Sequence, residues 1–386
     1  MKKILFMWLV ISLLCACSDS VSTDINENES DKLFSLLLQE NIDHSFGSVP
    51  GVSMSINSPL LEQKFHGAAG YADLEEKEEL SYSQVFRIAS VTKTFVATAI
   101  LRLHEMDSLS IEEPISTYID ESFISILQSD GYDPDRILIK HCLNHTSGLD
   151  DYIFVSEDFM NAILKNPDKR WTRKEQVQGA VEWGDKIGEP GAQTKYSDTG
   201  YILLGAIIEN FYDGDLAKGL RALLNFDGLG LTSTWLETLE AHPLDQSNKV
   251  HRYFREIDAT DWDASVDLFG GGGLVSNTAD LADFMYALFN NGIYEDQSTL
   301  NLMLSIPEYV QASDANDQKE IEYYNYGLWT IEVFGNKVHM HNGYWGITMI
   351  YIPKYKTSIA VNTTRGNSDR MIKKVLLVLE QLNNKQ

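Results

Sequence analysis

The chain has 386 residues, 44% of them apolar, so it can bury a large core and is longer than one average domain. Against 31 Lys and Arg stand 56 Asp and Glu, a net charge of −25 spread along the chain. That balance argues against nucleic acid as a partner, because nucleic acid demands a basic footprint.

In chain order, the first residues, "MKKILFMWLVISLLCAC", pair Lys2 and Lys3 with an apolar run too short for a comfortable membrane span. This is the pattern of a secretory signal. Residues 1–16 are expected to be the signal peptide. Residues 17–30, polar and acidic, are expected to be a tether with a reach of about 20 Å by flexible-chain scaling. Only Cys15, Cys17 and Cys142 exist, so a processed chain is expected to keep Cys142 as its sole free thiol and to have no internal disulfide.

The body then runs from 31 to 380. "DKLFSLLLQENI" has helix period, and "GVSMSINSP" with "EQKFHGAAGYAD" predicts two strands joined near Pro59. A helix opens at Ser90. From about 96 to 265 the pattern is mostly helical, with "TGYILLGAIIENFY" the clearest case. "TADLADFMYALFNNG" predicts a helix capped by Asn277 or Thr278 and ended by Gly292. The period then changes: "YGLWTIEVFG", "KVHMHNG", "WGITMIYIP" and "TSIAVNTTRG" read as an antiparallel meander, and "MIKKVLLVLEQL" closes as a helix. The expected fold class is α+β: an antiparallel sheet built from both chain ends (31–95 and 266–380) and flanked by helices, with an inserted, mostly helical part (96–265).

Three small constellations carry chemistry. Ser90-Val-Thr-Lys93 is the only Ser-x-x-Lys in the chain. On a helix, i and i+3 share a face, so an amine there can take a serine proton, and the helix start favours an oxyanion. The plainer alternative is a helix-capping Ser and a surface Lys. Tyr196-Ser197-Asp198 follows a Pro-Gly turn and precedes a helix; it can aim two polar groups at a cleft, or simply cap and pack. His341-Asn342-Gly343 lies among strand residues, where a Gly marks close approach of a ligand or of backbone, or else a solvent-facing hairpin.

In this order and at these spacings, the three motifs resemble those of the penicillin-recognising serine hydrolases. The nearest likeness is to the class C β-lactamase and D-Ala-D-Ala carboxypeptidase group with its family VIII esterase relatives. "IKHCLNHTSGL" and "GGGGLVSNTADLADF" are similar to segments of that group as well, and the likeness spans roughly residues 31–380. It implies the β-lactamase/transpeptidase-like fold and an acyl-enzyme on Ser90. Lys93 would help take the proton, and Tyr196 would act as proton shuttle. The backbone N–H groups of Ser90 and Tyr344 would form the oxyanion hole. His341, with Gly343, would form the far wall that meets the substrate's carboxylate or leaving group. No metal or organic cofactor is implied. The substrates expected are small molecules or peptides: D-Ala-D-Ala-type peptides and amides first, carboxylic esters second, β-lactams third. The ending Leu14-Cys15-Ala16-Cys17 also resembles a lipobox, which implies lipidation at Cys17 and a protein exported and anchored to a bacterial membrane.

Two positions depart from the common β-lactamase pattern. Asp198 stands where many have Asn; an ionised Asp only accepts hydrogen bonds, and it should hold Lys93 as a cation, which favours Tyr196 as general base. His341 replaces Lys and would often be neutral, which relaxes any demand for a substrate carboxylate. The pairs His141/His145 and His339/His341 make a metal site conceivable, but no His-Glu-x-x-His pattern exists. The run Gly270–Gly273 lacks the Lys-Ser/Thr of a phosphate loop, and Gly-x-Ser-x-Gly is absent. From a different class, a non-catalytic cell-wall ligand-binding lipoprotein would be expected to have lost Ser90, Lys93 or Tyr196, and all three are present.

Overall fold

The computed structural model describes residues 29–43, 49–153, 157–241, 249–308, 322–365 and 369–385. The expected signal peptide, most of the tether and Cys17 lie outside the described residues. The first helix, α1 (Glu29–Asp43), already begins within the stretch read as tether.

Two N-terminal strands, β1 (Gly51–Asn57) and β2 (Phe65–Gly70), pair with each other, and β1 pairs with the last strand of the chain in the register Val52 opposite Thr363. Between them in sequence lie two-residue β3 (Phe86–Arg87), helix α2 (Thr92–Glu105), helix α3 (Glu157–Lys165), helix α4 (Asp198–Phe211), short β4 (Trp235–Leu236), β5 (Leu274–Ser276) and helix α5 (Thr278–Phe289). The C-terminal strands are β6 (Glu322–Tyr324), β7 (Trp329–Val333), β8 (Asn336–Gly343), β9 (Ile347–Ile352) and β10 (Thr357–Thr363); helix α6 (Asp369–Asn383) closes the chain. The large sheet has seven strands in the order β2-β1-β10-β9-β8-β7-β6, all antiparallel.

Strand alternation divides two cores. Along β9, Ile350 and Ile352 face a cluster with Phe34 and Leu38 of α1 and Val375 and Leu379 of α6. Ile347, Met349 and Tyr351 face the opposite way, toward the larger cluster that contains α2 and α4. Helix α2 is buried at every residue from Thr92 to Leu101, its polar positions Thr92, Lys93, Thr94 and Thr98 included, so it is enclosed on every side. It is the axis on which the site is built.

Some expectations shift. The stretch 230–265 holds little helix: β4, the hairpin of Tyr253–Phe254 with Ile257–Asp258, and a 3-10 turn at Ala264–Asp267 occupy it, where Trp, Tyr and Phe favour extended backbone. Strand β6 was not anticipated; its short run "EYY" gives too few residues for alternation to show. Asn277 does cap α5, accepting from the Asp280 N–H at 2.8 Å.

Candidate active site

Ser90 does not start the helix itself. It sits in a 3-10 turn, Ala89–Val91, that leads into α2, and Ala89 before it is left-handed at φ 45°. Positive φ is costly for a residue with a side chain, so the turn is held by its surroundings. Those are β5 and β8. The Ile88 N–H donates to the Leu274 carbonyl at 3.0 Å, and the Leu274 N–H donates to Thr92 Oγ1 at 3.2 Å. On the other side, a Cβ at Gly343 would lie 2.3 Å from the Ile88 carbonyl oxygen. Only glycine lets the end of β8 run that close to the nucleophile turn.

The first turn of α2 carries Lys93, fully buried. Its ammonium donates to Ser90 Oγ at 3.0 Å and to the Gly271 carbonyl at 2.6 Å, and pairs with Asp198. The Tyr196 ring stands 5.0 Å from Lys93 Nζ, and Ser90 and Lys93 both act to lower the pKa of its phenol. Asp198, also buried, is the first residue of α4, and its backbone N–H donates to Asp151 Oδ2 at 2.8 Å. A Cβ at Gly271 would lie 2.8 Å from Asp198 Oδ1, so the glycine run makes room for the pair.

Burial disfavours the charged Lys93, but Asp198, Tyr196 and Asp267 together outweigh it and hold the amine above its ordinary value. Burial pushes Asp198 up, and the Lys93 ammonium pulls it back. With a cation facing an anion at bonding distance, the pair is ionised at neutral pH. Burial also raises Tyr196, so it rests as a phenol.

His341 is placed differently from its expected role on the far wall. It is 1% exposed, with Nδ1 against the Asn342 carbonyl at 2.8 Å and Nε2 against the Tyr324 hydroxyl at 3.0 Å. A carbonyl only accepts, so Nδ1 carries the proton and Nε2 accepts from Tyr324. Burial, then Lys93, lowers its pKa to about 3. The imidazole is neutral and its ring nitrogens are engaged within the protein, so it holds no donor toward a substrate carboxylate.

Sequence reasoning passed over several neighbours. His145 is left-handed at φ 60°, accepts the Ser197 N–H through Nδ1 at 3.2 Å, and packs 4.2 Å from the Tyr196 ring. It orients the phenol. His141 is engaged elsewhere: its Nδ1 accepts the Leu138 N–H at 3.1 Å. Among the described residues no group of three or more His, Cys, Asp or Glu is placed to hold a metal ion. Arg252, 2% exposed, lies over the Phe86 ring at 4.9 Å and donates to the carbonyls of Trp345 and Thr363 at 3.4 and 3.3 Å; its Nε and Nη2 have no acceptor. It therefore props the turn that follows Gly343 from below. Arginine among loop residues gave no periodic signal.

Ser90, Asp198 and Asp267 open on a cavity of about 50 Å³ whose other walls are mostly apolar. Phe159 and Ile163 come from α3, Phe254 and Trp262 from the loop-rich stretch, and Tyr344 and Trp345 from the turn after β8.

Comparisons with known proteins agree with this architecture. The family model described as Beta-lactamase matches residues 45–382. Penicillin-binding protein 4* of Bacillus subtilis (strain 168) is 26% identical over 241 residues, which are 59% of this chain and 50% of that protein. The chain thus spans about half the length of that relative. The structure of D-amino acid amidase from Ochrobactrum anthropi SV3 complexed with L-phenylalanine amide is 24% identical, with a TM-score of 0.75 over 92% of this chain and 99% of that one. EstCE1, a hydrolase with promiscuous acyltransferase activity, is 20% identical, with a TM-score of 0.71 over 92% and 98% of the two chains. At these identities, both structures speak for the fold.

Proposed function

The chain belongs to the beta-lactamase family and is a serine hydrolase of that fold, and from this premise we propose that it cleaves small amides and esters through an acyl-enzyme on Ser90. The observation that carries the reading is the position of Lys93. One ammonium joins Ser90, Asp198 and the Gly271 carbonyl, and the Tyr196 ring stands beside it.

Because Lys93 is held as a cation and Tyr196 as a phenol, neither begins as a free base. A relay satisfies both conditions. As Ser90 Oγ bonds to the substrate carbonyl carbon, its proton passes to the Tyr196 oxygen, and the Tyr196 proton passes to the leaving nitrogen or oxygen. Tyr196 ends as it began, and the Lys93 ammonium stabilises the negative charge that crosses the phenol. The oxyanion is received by the N–H groups of Ser90 and Tyr344, the second brought near by the close approach at Gly343. Water then repeats the sequence in reverse to release the acid.

The substrate reading favours D-peptide bonds and D-amino acid amides, the latter named for the amidase whose fold this chain shares. Carboxylic esters come next. Penicillins and cephalosporins are poor substrates in this reading, because Asp198 only accepts hydrogen bonds and is committed to Lys93. The N-terminal segment exports the protein and Cys17 anchors it by lipid to a bacterial membrane; Cys17→Ser should move it from the membrane fraction to the soluble one, and an unchanged distribution rejects the anchor.

Labelling with a fluorophosphonate probe, followed by peptide mapping, tests the central claim. Wild type should carry the label on Ser90, and Ser90→Ala should carry none. A label that persists in the variant overturns the assignment. A panel of D-Ala-D-Ala peptide, D-amino acid amides, p-nitrophenyl esters and nitrocefin then ranks the substrates.

A further inference from the structure

Asp267 has no place in the relay described above, yet it lines the same cavity as Ser90. Its Oδ1 is buried and meets no donor. The carboxylate leans on the glycine run: a Cβ at Gly272 would lie 2.1 Å from that oxygen. The two basic side chains nearest in charge, Lys93 and Arg87, are both committed. Lys93 serves Ser90, Asp198 and Gly271, while Arg87 is held by Glu237 and the Trp262 carbonyl. A carboxylate oxygen taken from water without a donor is costly to leave that way. Burial accordingly raises Asp267, and Asp151 adds to the repulsion.

The charges of the site do not cancel. Lys93 is one cation facing Asp198, with Asp151 and Asp267 close behind. Relief for Asp267 comes either from a proton on its own carboxyl or from a cation delivered through the cavity that opens at the nucleophile. The only species certain to be there during reaction is the substrate.

We infer that Asp267 receives a protonated amino group of the substrate, so that the enzyme selects aminoacyl amides, peptides or esters whose free α-amine neighbours the scissile carbonyl. The inference rests on the acyl-enzyme reading of Ser90. An ammonium one carbon from the carbonyl lies close to the point of attack, which suits a cavity shared by Ser90 and Asp267. The aromatic walls, Trp262 and Trp345 with Phe159, take the apolar side chain of the same residue. An N-acyl group at that position carries no charge, leaves the carboxylate unmatched and adds bulk.

Three compounds test this with the purified protein: D-phenylalanine amide, its N-acetyl derivative, and 3-phenylpropionamide, which lacks the amine. Wild type should prefer the free amine over both neutral compounds by about tenfold to a hundredfold in kcat/KM, the range of a charge-assisted hydrogen bond. In Asp267→Asn the ratio should fall toward one, and Asp267→Glu should keep part of it. Because the ratio is taken within each protein, a general loss of active enzyme does not imitate the effect. Equal turnover of the three compounds by wild type, or a ratio that survives Asp267→Asn, overturns the inference even if no variant of Asp267 folds well. Fluorophosphonate labelling of wild-type Ser90 separates the two levels. Labelling without the preference defeats the role of Asp267 alone, and no labelling defeats the serine-hydrolase reading and this inference with it.

Discussion

On the helical side of the site, Lys93, Tyr196 and Asp198 project from or just before α2 and α4, and their functional atoms meet one another. On the sheet side, His341 turns its nitrogens inward, to Asn342 and Tyr324, and the approach to Ser90 is made by the backbone at Gly343. Two motifs that look alike as text therefore encode different things. Tyr-Ser-Asp supplies side chains. His-Asn-Gly supplies a path for the chain, with the imidazole locking that path in place.

Substitutions can break this contrast. The largest effect should come from the helical side: Lys93→Met removes the charge that steadies the relay and leaves Asp198 buried without its partner. We expect kcat/KM to fall by about a thousandfold or more, within the range of lost acid–base catalysis. The unpaired carboxylate should also cost about 3–5 kcal/mol of stability in urea unfolding. Retention of both would mean that the ion pair is peripheral.

Next comes Gly343→Ala, whose new methyl meets the Ile88 carbonyl. It should lower kcat by about a hundredfold with little change in KM, as loss of an oxyanion donor does. His341→Asn should be milder, about tenfold or less in kcat, because amide groups can replace both internal hydrogen bonds. Were His341 a substrate ligand, the ranking would invert and the loss would fall on KM.

The smallest effect is on stability against pH. Burial depresses His339 from 6.5 to about 4 and His341 from 6.5 to about 3. Between those values and 6.5, the unfolded chain binds protons at these rings and the folded chain does not. Stability is therefore full above about pH 6.5 and declines as pH falls, by about 2 kcal/mol per ring at pH 5. Asp280, raised by burial from 3.8 to about 6, contributes with the opposite sign over its own window. A melting temperature that drops between pH 7 and 5, and drops less in His339→Gln, is the expected pattern.

The frame of the molecule was legible because long apolar runs announce their period: α2, α4, α5 and strands β7 to β10 are of this kind. The loop-rich stretch after residue 230 was not, since its aromatics serve short strands and pocket walls set by distant partners. Within the site, Ser90, Lys93, Tyr196 and Asp198 stood out as motifs, each open alone to a plainer reading, and their roles came from the family resemblance that the three motifs carry together. The inward turn of His341 could not, because it depends on Tyr324, which joins the sheet through an unexpected strand. Asp267 and Arg252 left no trace in any motif. One has a carboxylate oxygen without a donor and the other two nitrogens without acceptors, and such gaps are properties of the folded surroundings.

Arg252 bears on how this protein would respond to selection. A guanidinium buried beneath the Tyr344–Trp345 turn, with two of its nitrogens unmatched and burial lowering its pKa to about 9, weakens the native state. A well-packed apolar residue there should strengthen it. Arg252→Met is thus expected to raise the melting temperature while slowing turnover, since the two carbonyls it holds would be released. A library screened for heat tolerance alone would drift toward such replacements and away from activity, a trade-off seated at one side chain that never reaches the substrate.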